Sequence, residues 1–107
     1  MTDKIVVLST CGSAQEAANV ARALVERRLA ACVNIVAGVR SIYRWKGALE
    51  EADEWLLVIK SSRALLERLQ EELRKVHSYE TPEIVALEIV AGSEGYLEWM
   101  DAELHLR

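Results

Sequence analysis

The middle of this chain reads AACVNIVAGVRSIYRWKGALEEADEWLLVIK from residue 30 to residue 60. Residues 30–46 and 54–60 are rich in β-branched and aromatic side chains, which predicts two strands. The polar stretch Gly47–Asp53 predicts a turn region, so the two strands form an extended hairpin. Gly38 interrupts the first of them and predicts a β-bulge or a bend.

A strand and a helix precede this hairpin. Residues 4–10 form an apolar run that predicts a strand, and small or apolar residues follow at helical spacing from Ala14 to Val25. Ser13 to Glu16 have the form of a capping box, in which the hydroxyl and the carboxylate each bond a free backbone N–H group.

A helix and a strand follow the hairpin. Ser61 and Ser62 are predicted to cap a second helix, and residues 83–90 predict a fourth strand. The apolar stripe of that helix comprises Leu65, Leu66, Leu69, Leu73 and Val76. A short terminal helix is expected from Tyr96 to Leu104. The resulting order, β-α-β-β-α-β plus a C-terminal helix, is that of the ferredoxin-like α+β fold.

The strands of this sheet are apolar on both faces. Apolar side chains run without interruption through residues 5–8, 55–59 and 84–87. Strands with one face in water instead alternate apolar and polar side chains. One chain has only a short terminal helix to cover the second face, which predicts an obligate homo-oligomer. Tyr43 and Trp45 share one face of the hairpin and are expected to lie at the interface with a neighbouring copy.

Composition excludes several classes of protein. The 107 residues predict a single domain over 1–107, and a hydrophobic content of 51% excludes disorder. No apolar run approaches the roughly 20 residues that span a bilayer, so no membrane partner is expected. A net charge of −4 argues against a nucleic-acid partner. Two cysteines and no recognisable signal peptide predict a cytoplasmic protein.

The segment His77–Glu80, with Glu83 after it, groups imidazole, phenol and carboxylates. One interpretation is a metal or small-ligand site, since imidazole suits copper, zinc or nickel. The other is a histidine stabilised at a helix end, with Tyr79 packing on a neighbour. Lys60 either pairs with a carboxylate such as Glu83 in a cleft or extends to solvent. His105 is expected to be solvated.

No nucleophile–base motif and no phosphate-binding loop is visible, so the sequence does not predict an enzyme. Cys11 and Cys32 are either small buried apolar residues or metal ligands.

Four motifs in order resemble the divalent-cation tolerance (CutA) family. They are LVERRLAACVNI at 24–35, SIYRWKG at 41–47, HSYETPEI at 77–84 and YLEW at 96–99. The resemblance spans nearly the whole chain. It implies a ferredoxin-like fold assembled as a tight homotrimer, similar to the PII signalling proteins. It also implies binding of copper or another divalent cation, a role in metal tolerance, and no established catalytic activity.

The resemblance also implies where ligands bind. The candidate metal ligands are His77, which matches a ligand of the family, and Cys11 and Glu80, which could complete the site. The candidate binding cleft between subunits comprises Lys60, Tyr79, Glu83, Trp45 and Tyr43. Some bacterial relatives have a cysteine ligand and an additional histidine where this chain has Ser9 and Val76, so fewer ligands remain. The alternative function is a PII-like regulatory module that binds a small metabolite or a partner protein in the same clefts.

Overall fold

The computed structural model of the protein describes residues 2–104, so His105 lies outside the described residues. The strands are β1 (Lys4–Cys11), β2 (Cys32–Trp45), β3 (Ala48–Ser62) and β4 (Val85–Glu88). The helices are α1 (Ala14–Glu26), α2 (Leu66–Val76) and α3 (Glu94–Leu104), and a 3₁₀ turn over Arg63–Leu65 leads into α2. No helix among these residues is long and apolar enough to cross a bilayer.

The four strands form one antiparallel sheet in the order β2-β3-β1-β4, and the predicted ferredoxin-like layout is confirmed. Side chains of β1 and β3 such as Val7, Leu57 and Ile59 point to one face and are fully buried. Leu24 of α1 and Leu69 of α2 belong to the same core. The opposite face is called the open face below. Helix α3 contacts β3 on this side, where the ammonium group of Lys60 lies 5.9 Å from the centre of the Tyr96 ring.

The open face remains partly apolar and accessible. Val36 of β2 and Val85 and Leu87 of β4 are exposed on it, while Val6 and Val58 are half-buried. A single copy of the chain therefore leaves much of this face uncovered.

The predicted Ser13 cap of α1 is confirmed, and the predicted serine caps of α2 are wrong. Ser13 Oγ accepts a hydrogen bond from the Glu16 backbone N–H at 3.1 Å. Ser62 makes no such bond, and Ser61 Oγ instead donates to the Leu29 carbonyl at 2.6 Å. The 3₁₀ turn separates both serines from the first turn of α2, so their hydroxyls are not placed to cap it.

The predicted turn over 47–53 is wrong, because β3 begins at Ala48. Only Lys46 and Gly47 form the turn, with φ of 50° and 82°. Two-residue hairpin loops of type I′ require positive φ at both positions. The acidic residues 50, 51 and 53 that follow the turn favour a loop by composition, but they pair with residues of β2. Arg40 Nε lies 3.6 Å from an Asp53 carboxylate oxygen. The fourth strand is also shorter than the predicted 83–90.

The bulge predicted at Gly38 is present. Val36 pairs with Leu56 and Val39 pairs with Glu54, so β2 has one more residue than β3 between these pairs. Gly38 has φ of 79°, which glycine adopts readily. The extra residue reverses the alternation of β2, so that odd-numbered residues beyond it lie on the open face with Glu54.

Candidate functional site

A groove of about 700 Å³ lies where β1, β3 and the outer part of β2 meet the loop between α2 and β4. Five of the predicted site residues line it, namely Tyr43, Trp45, Tyr79, Glu80 and Glu83. Two elements bring them together: the bulge turns the aromatic pair to this face, and the loop crosses the end of β1.

His77 lies at the start of this loop with its side chain fully buried. Its Nε2 is 2.6 Å from the Thr10 carbonyl oxygen, and its Nδ1 accepts a hydrogen bond from the Tyr79 backbone N–H at 3.0 Å. Because a carbonyl can only accept, Nε2 carries the ring proton. Both ring nitrogens are therefore engaged, and neither lone pair is free for a metal ion.

Cys11 is brought next to His77, as the predicted metal site requires. Its Sγ is 3.7 Å from His77 Nε2, and the side chain is buried. Burial, with the negative charges of Glu16 and Glu54, raises the pKa of the Cys11 thiol to about 12. At neutral pH the sulfur is a thiol, whereas a metal ligand is a thiolate.

The His77–Cys11 pair does not fit a ready-made metal centre. Within residues 2–104, no group of three or more His, Cys, Asp or Glu side chains is arranged to hold a metal ion. Glu80, the third predicted ligand, follows Tyr79 in the sequence. It is exposed and lines the groove.

Glu16 is a site residue that the sequence analysis assigned elsewhere. Its carboxylate accepts the Ser78 backbone N–H at 2.6 Å and lies 3.7 Å from His77 Nδ1. Desolvation raises its pKa, but the hydrogen bonds from Ser78 and the proximity of His77 outweigh this effect and leave it below the usual 4.5. The capping-box prediction was thus half right, since the carboxylate holds the loop.

Tyr79 and Glu54 form the inner wall of the groove. Tyr79 donates its hydroxyl proton to Glu54 Oε2 at 2.7 Å, and Glu54 is only 7% exposed. Burial, together with this carboxylate, raises the pKa of Tyr79. Gly12 allows the close approach, because a Cβ there would lie 3.0 Å from the tyrosine oxygen. Neither Glu54 nor Gly12 carried a sequence signal for this role, since the first sits in an apolar strand and the second in a turn.

The groove is negatively charged. Three carboxylates line it, from Glu54, Glu80 and Glu83, and no lysine or arginine of the described chain does. It is therefore suited to cations.

Lys60, the remaining predicted cleft residue, lies apart from the groove. Its ammonium group donates to Asn34 Oδ1 at 2.6 Å and lies 5.9 Å from the centre of the Tyr96 ring. It stands six residues from Glu54 along β3, roughly 20 Å at the usual rise per residue. The suggested pairing with Glu83 is not formed.

The chain is similar to proteins of one family. The family model described as CutA1 divalent ion tolerance protein matches residues 5–103. A Thermus thermophilus relative, named divalent-cation tolerance protein CutA, is 50% identical over 95 residues, which cover 89% of this chain and 92% of the relative. The crystal structure of CutA from Xylella fastidiosa superposes with a TM-score of 0.95 at 35% identity, covering 97% of this chain and 100% of that one.

A plant relative is longer. The chloroplastic protein CutA of Arabidopsis thaliana is 44% identical over 96 residues, which are 90% of this chain and 53% of the relative. The chain spans about half the length of that protein.

Proposed function

The chain belongs to the CutA1 divalent ion tolerance protein family, and from this premise we propose that it is a homotrimer that binds divalent cations, copper in particular, in clefts between its subunits. The observation that carries the proposal is the groove, where Glu54, Glu80 and Glu83 face one cavity without a basic side chain among residues 2–104. A role in metal tolerance follows if this site takes up cations in the cell.

The proposed ligands differ in how much must change before each can bind a metal ion. Glu80 and Glu83 are exposed and can meet an entering ion directly. His77 can bind copper only when one of its two hydrogen bonds breaks, and Cys11 only when the ion displaces the thiol proton. We therefore expect weak or moderate copper affinity that rises with pH, because the metal competes with protons for these ligands.

The trimer is supported by the uncovered apolar surface. A second copy of the same chain is the simplest cover for Val36, Val85 and Leu87 on the open face. The long hairpin adds Ile42 and Leu49, which are among its most exposed apolar side chains. Its reach beyond the core would let it extend over a neighbouring subunit.

We also propose that the protein is not an enzyme and acts in the cytoplasm. His77 is the only histidine in the described part of the chain, and its engaged nitrogens leave no poised general base. The Arabidopsis relative is described as chloroplastic and the Archaeoglobus fulgidus relative as periplasmic, so location varies within the family.

Calorimetric titration with copper tests the groove. Glu80→Gln combined with Glu83→Gln removes two carboxylates, and Glu67→Gln combined with Glu71→Gln removes the same charge from the exposed side of α2. We expect the groove variant to lose copper affinity several-fold and the α2 variant to keep it. His77→Ala should remove most of the remaining binding.

Equal losses in the two double variants would contradict the groove as the site. Unchanged binding in His77→Ala would withdraw the role given to the imidazole.

A further inference from the structure

We propose that the aromatic half of the groove binds a small organic cation, an ammonium group that carries methyl or other alkyl substituents. The binding groups are the rings of Tyr43 and Trp45 and the carboxylate of Glu54. This goes beyond the proposed function: it shares the groove and Glu54 with the proposed metal site, but it uses neither His77 nor Cys11 and holds whether or not a metal binds.

The first argument is the aromatic pair. Tyr43 and Trp45 are two residues apart on one strand, so both side chains lie on the open face. In a single copy of the chain both are substantially exposed, and both line the groove. The faces of such rings attract cations, and alkylated ammonium ions lose their hydration more readily than metal ions do. The ammonium group of Lys46, 5.8 Å from the Trp45 ring centre, already uses this attraction.

The second argument is the charge of Glu54. Its side chain is almost fully buried, yet no lysine, arginine or histidine of residues 2–104 lies within ion-pair distance of it. Its one side-chain hydrogen bond among residues 2–104 comes from the Tyr79 hydroxyl to Oε2. A buried carboxylate without a counter-charge is costly, and a bound cation would supply that charge.

The third argument is size. A volume of about 700 Å³ falls within the range of small-molecule sites and far exceeds that of a single metal ion. An anionic metabolite would meet three carboxylates with no basic side chain from the described chain to offset them. An organic cation is the class of ligand that satisfies both the rings and the charge.

Titration of ¹⁵N-labelled assembled protein with tetramethylammonium chloride tests the proposal, with tert-butanol as a neutral ligand of similar shape and sodium chloride at matched ionic strength. The protein has three tryptophans, so the indole signals of Trp55 and Trp99 are internal references. We expect saturable movement of the Trp45 signal with tetramethylammonium and affinity roughly three- to thirtyfold lower for tert-butanol. Equal responses to both ligands, or no saturable response of Trp45, would overturn the proposal.

Variants locate the binding groups. Glu54→Gln and Trp45→Leu should each weaken tetramethylammonium binding at least threefold. Trp99→Leu removes a tryptophan that is 42% exposed, close to the 45% of Trp45, and should leave binding unchanged. Glu67→Gln is the matching control for charge. If the controls weaken binding as much as the groove variants, the site lies elsewhere.

Copper titration of Glu54→Gln and Trp45→Leu separates this proposal from the metal site, because we expect Trp45→Leu to keep copper affinity.

Discussion

Ser9 and Ser61 are two fully buried serines on the helix-covered face of the sheet, and they differ in one hydrogen bond. Ser61 Oγ donates to the Leu29 carbonyl, whereas Ser9 Oγ has no partner among the described residues. A buried hydroxyl without a partner costs free energy, and one with a partner contributes to stability.

We therefore expect opposite effects from the same substitution at these two sites. Ser9→Ala should raise the free energy of unfolding by about 1 kcal/mol, and Ser61→Ala should lower it by about 1–2 kcal/mol. Urea unfolding of both variants beside the wild type measures the two differences. A loss of stability in Ser9→Ala would mean that its hydroxyl has a partner.

Single residues also mark where sequence reasoning reaches its limit. The resemblance pointed to His77, the strand pattern added Cys11, and the structure does bring them within 3.7 Å. The hydrogen bonds that occupy both nitrogens of His77 come from the backbones of Thr10 and Tyr79. Backbone partners leave no signature in residue type. The sequence therefore could not predict that both nitrogens of His77 are already hydrogen-bonded.

At the scale of elements, side chains of two other elements attach the loop between α2 and β4 to the rest of the fold. Glu16 of α1 accepts the Ser78 N–H, and Glu54 of β3 accepts the Tyr79 hydroxyl proton. Two carboxylates from separate elements thus hold one wall of the groove, together with the hydrogen bond between His77 and the Thr10 carbonyl.

Glu16 should make this attachment sensitive to acid. Its pKa is lowered in the folded chain, so its contribution to stability is present above the usual 4.5 and is lost as pH falls through the lower folded value. Glu16→Gln should lower the free energy of unfolding at pH 7 by roughly 1–2 kcal/mol. The variant should also lose less stability than the wild type as the pH falls from about 5 to about 3, the range in which carboxylates become protonated. Chemical unfolding at both pH values measures this, with Glu67→Gln as the control; parallel pH profiles would contradict it.

Elements were predicted well where one physical signal dominated. The two long helices follow from apolar periodicity and the first strand from an apolar run, and apolar side chains of all three are buried in the core as expected. The hairpin was predicted too short because Glu50, Glu51 and Asp53 are residue types that are depleted in strands. Cross-strand partners such as Arg40 reverse that tendency, and such partners are visible only once the register is known.

At the scale of the whole molecule, the proposed trimer should persist on dilution, because apolar surface covered by neighbouring copies would be re-exposed on dissociation. Sedimentation at micromolar concentration should show one species three times the mass of the 12.0 kDa chain. Leu49→Asp, at a hairpin position that is 69% exposed, should dissociate or destabilise it. Val25→Asp, at a 41% exposed position of α1, should not. A stable folded monomer in the wild type would refute the trimer.

The extra residue in β2 also determines where this hairpin can change in length. Loss of Ala37 or Gly38 would remove only the unpaired residue, and Val36 and Val39 would keep their partners on β3. Loss of a residue between Val39 and Trp45 would instead turn the remaining part of the strand over. Natural insertions and deletions in this hairpin are therefore expected to concentrate at residues 37 and 38, where evolution can shorten the chain without exchanging its two faces.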